Sequence, residues 1–224
     1  MKRSLRMLAV LIAAAFLGGC IVSDQLTTLT IHSDGSADYV LFRSNLRSTE
    51  KGAKAEKELA DYKAKFDARA EDEFVRIRDC GGKIVQATWV RSEAPFSNVI
   101  HAQFPDASAL EKFGSTKNED GSPLITTQFH RDGARRKLTA RITVPSDSIK
   151  EPAEPPVKEP LKQGFANGIS ATRIAIVSGS IVAERGFTVA SDKQSALLDG
   201  DEIEQLLRKG NGTMELFLEW EVTP

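Results

Sequence analysis

Residues 26–42, LTTLTIHSDGSADYVLF, decide how the chain begins to fold. Two runs rich in β-branched and aromatic residues, 26–32 and 37–42, flank a polar segment with Asp34-Gly35 at its centre. Such side chains favour strands, and glycine accepts a positive φ in a tight turn without steric cost. The pattern therefore predicts a β-hairpin formed by the first two strands.

Downstream of this hairpin the hydrophobic period lengthens to that of a helix. Apolar residues recur on one helical face over 50–78, namely Ala55, Leu59, Tyr62, Phe66, Ala70, Phe74 and Ile77. Charged residues fill the other faces, which is the pattern of an amphipathic helix. We predict one long helix over 50–78 that is capped by Ser48 or Thr49, ends at Gly81-Gly82 and packs on a sheet.

The chain then returns to strand patterns separated by turn signals. Four strands are predicted at 83–91, 97–105, 124–130 and 136–144. A short helix, capped by Asp106, is predicted at 106–114. Strands joined by tight turns favour antiparallel pairing. Residues 26–144 are therefore predicted to form an α+β domain, in which a mainly antiparallel sheet packs against one long amphipathic helix.

A Pro-rich segment separates this domain from a C-terminal β-rich segment. Five prolines fall within 145–164, too many for a helix or strand, so 145–168 is predicted to be an extended loop or linker. Residues 169–224 contain strand patterns at 169–178, 181–189 and 213–222 and a short helix at 201–209. About 60 residues make a small independent core. We expect this segment to join or pack on the first sheet, with a separate domain as the alternative.

The first 19 residues have the three parts of a secretory signal. Lys2, Arg3 and Arg6 are basic, an apolar run follows over 7–17, and Gly18-Gly19 supplies small residues for cleavage. The apolar run is shorter than the ~20 residues that cross a hydrocarbon core. Residues 1–19 are therefore predicted to be a cleaved signal peptide.

The end of this signal is similar to the lipobox of bacterial lipoproteins, which here is Leu17-Gly18-Gly19-Cys20. The resemblance implies cleavage before Cys20 and a diacylglycerol on its sulfur, often with a further acyl chain on the new amino group. Two or more acyl chains hold a protein stably at a bilayer. It also implies a lipid-anchored place in the cell envelope, and Ile21 favours the periplasmic face of an outer membrane in a Gram-negative source. The alternative is an ordinary secretory signal with a coincidental cysteine.

Residues 20–25 are predicted to be the lipidated cysteine and a short tether. Five extended residues reach at most about 17 Å, so the folded body is expected close to the bilayer. In its β-rich layout, its Asp-Gly-Ser hairpin and its closing LFLEW strand, the body resembles uncharacterised lipoproteins of the mycobacterial LppM type. That resemblance implies no residue roles.

The mature chain is mildly acidic. Without residues 1–19 it has 27 Lys and Arg against 31 Asp and Glu, a net charge of −4. Nucleic-acid binding needs a clustered positive face, so no nucleic-acid partner is predicted, and anchoring depends on the lipid at Cys20. Cys80 is then the one remaining cysteine. It cannot form an internal disulfide, and an inert, buried thiol is favoured over a reactive one.

Motifs with catalytic or cofactor chemistry are not found in the sequence. His130-Arg131-Asp132-Gly133 lacks the Asn of a kinase catalytic loop, because Lys137 stands there. The other two histidines, His32 and His101, do not form an HExxH pair. We predict no catalytic, metal or cofactor residue, and a protein that is not an enzyme.

Three functions remain open from the sequence. The first is a membrane-anchored, non-catalytic binding or assembly module of the bacterial envelope, with an envelope protein or a lipid as partner. The second is a carrier of a lipid or other apolar ligand, in a cavity between the helix and the sheet. The third is an envelope hydrolase. A large apolar cavity would favour the carrier, and an exposed apolar patch would favour a protein partner.

Overall fold

The structure, a computed structural model, describes residues 21–118, 121–143, 170–199, 203, 205–206, 209–210 and 212–223. The predicted signal peptide, the lipobox with Cys20 and the Pro-rich segment 145–168 lie outside the described residues. Of the predicted helix 201–209, the described residues 203, 205, 206 and 209 are helical.

The described helices are short and the strands predominate. The helices are α1 (Ala53–Asp67), α2 (Asp72–Asp79) and α3 (Ala107–Gly114). The strands are β1 (Ile21–Ile31), β2 (Ala37–Ser48), β3 (Lys83–Arg91), β4 (Phe96–Phe104), β5 (Thr116–Lys117), β6 (Pro123–Asp132), β7 (Arg135–Thr143), β8 (Ser170–Ile176), β9 (Ser180–Arg185), β10 (Phe187–Val189), β11 (Ser195–Leu198) and β12 (Thr213–Glu221). This mixture confirms the α+β class.

The strands form two sheets rather than the one sheet predicted. The larger has the order β10-β11-β8-β1-β2-β4-β3, and the smaller has the order β5-β6-β7-β12-β9. All pairs are antiparallel except β1 with β8, which run parallel. The predicted hairpin is confirmed: Ile31 pairs with Ala37, and Gly35 in the turn has φ 91°.

One face of the larger sheet carries two hydrophobic clusters. One cluster joins β1, β8, β10 and β11 to residues of the smaller sheet, among them Leu216, Leu218 and Trp220. The other joins β2 and β4 to the helices through Phe66, Phe74 and others. Leu29 packs against both clusters. The smaller sheet and the helices therefore cover the same face side by side.

The predicted long helix is two helices, and this corrects the prediction of one helix over 50–78. The break lies between Asp67 and Asp72, where Arg69 has a positive φ of 54°. The break lets the Glu71 carboxylate, just before α2, meet Arg43 on β2 at 2.5 Å. The predicted caps are also wrong, because Gly52 is the N-cap and Ser48 belongs to β2. The predicted end is confirmed, since α2 stops at Asp79, before Gly81.

The predicted tether at residues 20–25 is replaced by strand from Ile21 onwards. Ile21 pairs with Ser48 and Val22 pairs with Arg47, so β1 continues along the whole of β2. An irregularity between Val22 and Asp24 shifts the register and breaks the two-residue period on which the sequence prediction depends. The chain therefore enters the larger sheet directly after Cys20.

The C-terminal strands lie in both sheets. β8 lies beside β1, and β12 lies between β7 and β9. The strand predicted at 181–189 is two strands in different sheets, separated by Gly186 with φ 85°. A side chain at Gly186 would collide with Leu216, so this crossing between the sheets requires glycine.

Candidate functional site

A cavity lies where the two hydrophobic clusters meet. It has a volume of about 140 Å³ and is partly open. Strands of both sheets and the helices α2 and α3 line it with mostly apolar side chains, among them Leu29, Leu110, Phe113, Leu138, Ile174 and Leu216. Its partly open, mostly apolar lining makes it a candidate ligand site.

Polarity changes in a regular way along the floor of this cavity. On β1 the cavity-lining residues run Gln25, Thr27, Leu29, and on the parallel strand β8 the lining residues Thr172 and Ile174 pair with Thr27 and Leu29. The next pair, Ile31 and Ile176, lies in the packed core beyond the lining. Burial follows the same order, with Gln25 half-buried and Ile31 completely buried. Because the two strands are parallel and in register, both are polar at one end of the floor and apolar at the other.

The apolar end is closed by packing between the sheets. Arg136 Nε donates to Ser33 O at 2.6 Å, which holds the β1–β2 turn against the β6–β7 hairpin. Trp220 fills the adjoining core, is completely buried and lies 5.9 Å from the ring of Phe129. The lining residues nearest the start of β1, Gln25 and Thr27, are half-buried, which indicates that the cavity opens towards that end.

Arg76 is the positively charged side chain in the cavity lining. Its Nη2 donates to Phe113 O at 2.5 Å, at the C-terminal turn of α3, and its guanidinium stacks 4.3 Å from the Phe113 ring. Its Nη1 lies 3.9 Å from Glu73 Oε2. A guanidinium has five N–H donors, so these contacts leave donors for a further acceptor.

Thr116 adds a polar atom to the same wall. It follows α3 by two residues and lines the cavity. Its Oγ1 is buried and has no hydrogen-bond partner among the residues that the structure describes. Buried polar atoms are nearly always satisfied, so this hydroxyl marks a place where a bound polar group would be stabilised.

Tyr39 and Glu73 form a buried pair in the cavity wall. The Tyr39 hydroxyl donates to Glu73 Oε1 at 2.5 Å. Burial, together with the adjacent Glu73 carboxylate, raises the pKa of Tyr39 well above its ordinary value. The phenol therefore stays protonated and holds the carboxylate, which links α2 to β2.

A second buried polar network lies beneath α1. Arg43 Nη1 donates to Glu71 Oε1 at 2.5 Å and to the Tyr62 hydroxyl at 2.9 Å, and Asn98 Nδ2 donates to the same hydroxyl at 3.0 Å. Burial raises the pKa of Glu71, and the Arg43 guanidinium opposes that effect. These groups fasten both helices to the sheet.

Histidines and a carboxylate meet on the outer face of the larger sheet. His32 Nε2 lies 2.9 Å from Asp38 Oδ2, and His101 Nε2 lies 3.1 Å from Asp38 Oδ1. Within the described part of the chain, no three His, Cys, Asp or Glu side chains are arranged to hold a metal ion. Hydrogen bonds from His32 and Gln103 are the main causes that lower the pKa of Asp38 to about 2.

We expect Asp38→Asn to lower the free energy of unfolding by about 1 kcal/mol at neutral pH, because the amide cannot accept from both imidazoles. The folded pKa lies below the ordinary value of 3.8, so the stabilisation is present above that value and is lost as the pH falls towards 2. Urea unfolding of the parent and the variant, at neutral pH and near pH 2, measures this difference in the free energy of unfolding. The exposed Asp61→Asn is the control, and a deficit that persists at the lower pH would contradict the assignment.

The predicted site residues have different outcomes. The lipidation site Cys20 lies outside the described residues. Cys80 is half-buried at the end of α2, and burial raises the pKa of its thiol. The histidine-containing motif at 130–133 lies in the β6–β7 hairpin, with Gly133 at φ 54° in the turn. The sequence predictions missed Arg76 and Thr116, since neither stands in a local motif.

Comparison with known proteins gives one weak structural likeness. No family model matches the chain, and no curated protein matches it. The folded domain of LppM from Mycobacterium tuberculosis, solved by NMR, is similar to it with a TM-score of 0.41 and 9% identity, over 94% of this chain and 96% of that one. A TM-score of this size does not establish a shared fold.

The described helices are also too short or too polar for membrane crossing. Among residues 21–118 and the later described ranges, none has the length and apolar content of a spanning helix.

Proposed function

We propose that the chain is a lipid-anchored, non-catalytic binding protein of the bacterial envelope whose cavity takes an apolar ligand. The observation that carries the proposal is the cavity between the two sheets, with its apolar lining. The lipobox at Cys20 supports the anchor. On the strength of this cavity we favour the predicted carrier over the assembly module and the hydrolase.

The size of the cavity limits what it can hold. An engineered apolar cavity of about 150 Å³ stays dry and binds benzene, and the cavity here is about 140 Å³. Each methylene transferred from water contributes about 0.8 kcal/mol. A space of this size suits a single acyl segment or ring, rather than a whole two-chain lipid.

The buried ionisable groups around the cavity support a binding role. Glu73 is 2% exposed and accepts the hydroxyl of Tyr39. A general acid or base must reach the proton that it transfers, whereas this carboxylate is occupied within the protein wall. The remaining polar lining consists largely of threonines and Gln25, which suit positioning rather than bond cleavage.

Filling the cavity should abolish ligand binding. Ala140 lies on β7 in the cavity lining, so Ala140→Trp places an indole in the ligand space. We expect it to weaken binding of laurate at least about tenfold, which corresponds to ~1.4 kcal/mol. Isothermal titration calorimetry on the full chain carrying Cys20→Ser measures this without an attached acyl chain.

The matched control is Ala171→Trp on β8. Ala171 pairs with Leu26, whose side chain is exposed on the other face of the sheet, so this indole leaves the cavity unchanged. Its affinity should stay within about twofold of the parent. Equal binding by a folded Ala140→Trp protein, or no binding of laurate by the parent, would overturn the proposed function.

A further inference from the structure

We propose that the cavity holds a single-chain amphiphile tail first, with a carboxylate headgroup at the open end against Arg76 and Thr116. This inference rests on the proposed function and adds the chemical class and the direction of the ligand. It follows from the placement of the polar groups in the lining, which is not symmetrical.

The direction of the tail follows from the floor of the cavity. In the lining, Gln25 and the polar pair Thr27–Thr172 give way to the apolar pair Leu29–Ile174, beyond which the pair Ile31–Ile176 belongs to the packed core. Burying an unpaired hydroxyl or amide is costly. An acyl chain is therefore best placed with its tail against Leu29 and Ile174 rather than against Gln25 and Thr27. The headgroup then remains at the open end.

The headgroup chemistry follows from two other lining residues, Arg76 and Thr116. Arg76 retains N–H donors beyond its contact with Phe113 O, and Thr116 Oγ1 is buried without a partner in the described part of the chain. A carboxylate accepts several hydrogen bonds at once, and charge-assisted bonds to arginine are among the stronger ones. The positive charge of Arg76 would repel an ammonium headgroup. The nearby carboxylate of Glu73 already accepts a hydrogen bond from Tyr39, so it is less able to bind the ammonium instead.

The position of the opening brings the ligand near the predicted anchor. Gln25 at the rim is five residues from Cys20, which is at most about 17 Å of extended chain. An acyl chain on Cys20 could therefore compete for the same space. The lipid on Cys20 would be a thioether-linked glyceride without a carboxylate. Arg76 therefore favours a separate amphiphile that has one.

The test compares laurate, dodecylamine and dodecanol as probes, titrated into the full chain carrying Cys20→Ser. Laurate should bind at least about tenfold more tightly than dodecylamine at neutral pH. Arg76→Gln should reduce that ratio to about twofold or less, while dodecanol affinity stays nearly constant. Arg78→Gln, an exposed change on the same helix, should keep the full preference.

A second variant guards against misfolding at Arg76. Thr116→Val keeps the shape of the side chain and removes only its hydroxyl, and it should weaken laurate binding several-fold. An unchanged preference in folded Arg76→Gln, or equal binding of laurate and dodecylamine, would overturn the headgroup assignment while the cavity remains a binding site. Failure of all three probes would instead overturn the proposed function.

The lipidated chain in nanodiscs distinguishes a separate amphiphile from the chain's own anchor. Laurate should bind the lipidated chain and the Cys20→Ser chain with the same affinity, after correction for partition of laurate into empty nanodiscs. Loss of laurate binding in the lipidated chain, with recovery in Cys20→Ser, would show that the anchor fills the cavity and would overturn the assignment to a separate ligand.

Discussion

Replacing Arg43 by methionine is expected to lower the free energy of unfolding by about 3–5 kcal/mol, because it leaves a buried carboxylate without its counter-charge. Arg43 is 3% exposed and bonds Glu71 at 2.5 Å. The same change removes a donor from Tyr62. Chemical denaturation monitored by circular dichroism gives the free energy, and the exposed Arg91→Met is the control for losing one positive charge.

The double variant separates charge from packing. Arg43→Met with Glu71→Gln removes both charges, so it should recover much of the loss seen for Arg43→Met alone. In the single variant Glu71 loses the partner that opposes the effect of burial on its pKa. With the pKa of Glu71 raised in the folded protein, its ionised form destabilises the native state. The loss in free energy of unfolding should therefore be largest well above that pKa, and it should shrink as the pH falls towards 4.5, the ordinary value, where Glu71 becomes protonated. A deficit that is independent of both pH and Glu71 would contradict this account.

Replacing Cys20 by serine is expected to abolish acyl-dependent anchoring of the chain. Each buried methylene contributes about 0.8 kcal/mol, and two acyl chains together hold a protein almost permanently. Charge does not favour an electrostatic substitute, since the mature chain carries a net charge of −4 and anionic lipids attract basic segments. Detergent phase partitioning with radiolabelled palmitate incorporation measures the anchor.

The control for this variant is Cys80→Ser. Cys80 lies at the end of α2, so its loss should leave both the palmitate label and the detergent-phase fraction unchanged. If the Cys20→Ser chain still incorporated palmitate and entered the detergent phase, the lipobox prediction would be wrong. Palmitate incorporation that required Cys80 would also contradict the lipobox prediction.

Much of the local structure could be predicted because it depends on near neighbours. The Asp34-Gly35 turn predicts the β1–β2 hairpin, since the turn chemistry and both strands lie within one short stretch. Asp106 predicts the start of α3, and its carboxylate accepts from Ala109 N at 2.9 Å. These signals act over a few residues, so distant parts of the chain do not change them.

The break between α1 and α2 could not be predicted in this way. The apolar stripe continues from Phe66 through Ala70 to Phe74 and favours one helix. The structure instead places Arg69 in a left-handed conformation, with Glu71 buried against Arg43. That contact spans 28 residues, and a pairing at such distance leaves no mark in the hydrophobic period.

The cavity is equally a product of distant pairing. β1 and β8 are separated by more than a hundred residues, and a single sequence gives no register for a parallel pair. The order Gln25, Thr27, Leu29, Ile31 is nevertheless visible within one strand. A strand face that is buried along its whole length is usually apolar throughout, whereas this one changes from polar to apolar. That gradient was the available signal of a partly open site.

The entry of the chain into β1 at Ile21 also has a mechanical consequence. β1 is hydrogen-bonded to β2 on one side and to β8 on the other. A pull on a lipid at Cys20 would act along this strand and load both ladders in shear, so many bonds would resist together. A chain anchored there as predicted would resist unravelling from that end, because the pull would be shared among many hydrogen bonds of β1 instead of breaking them one at a time.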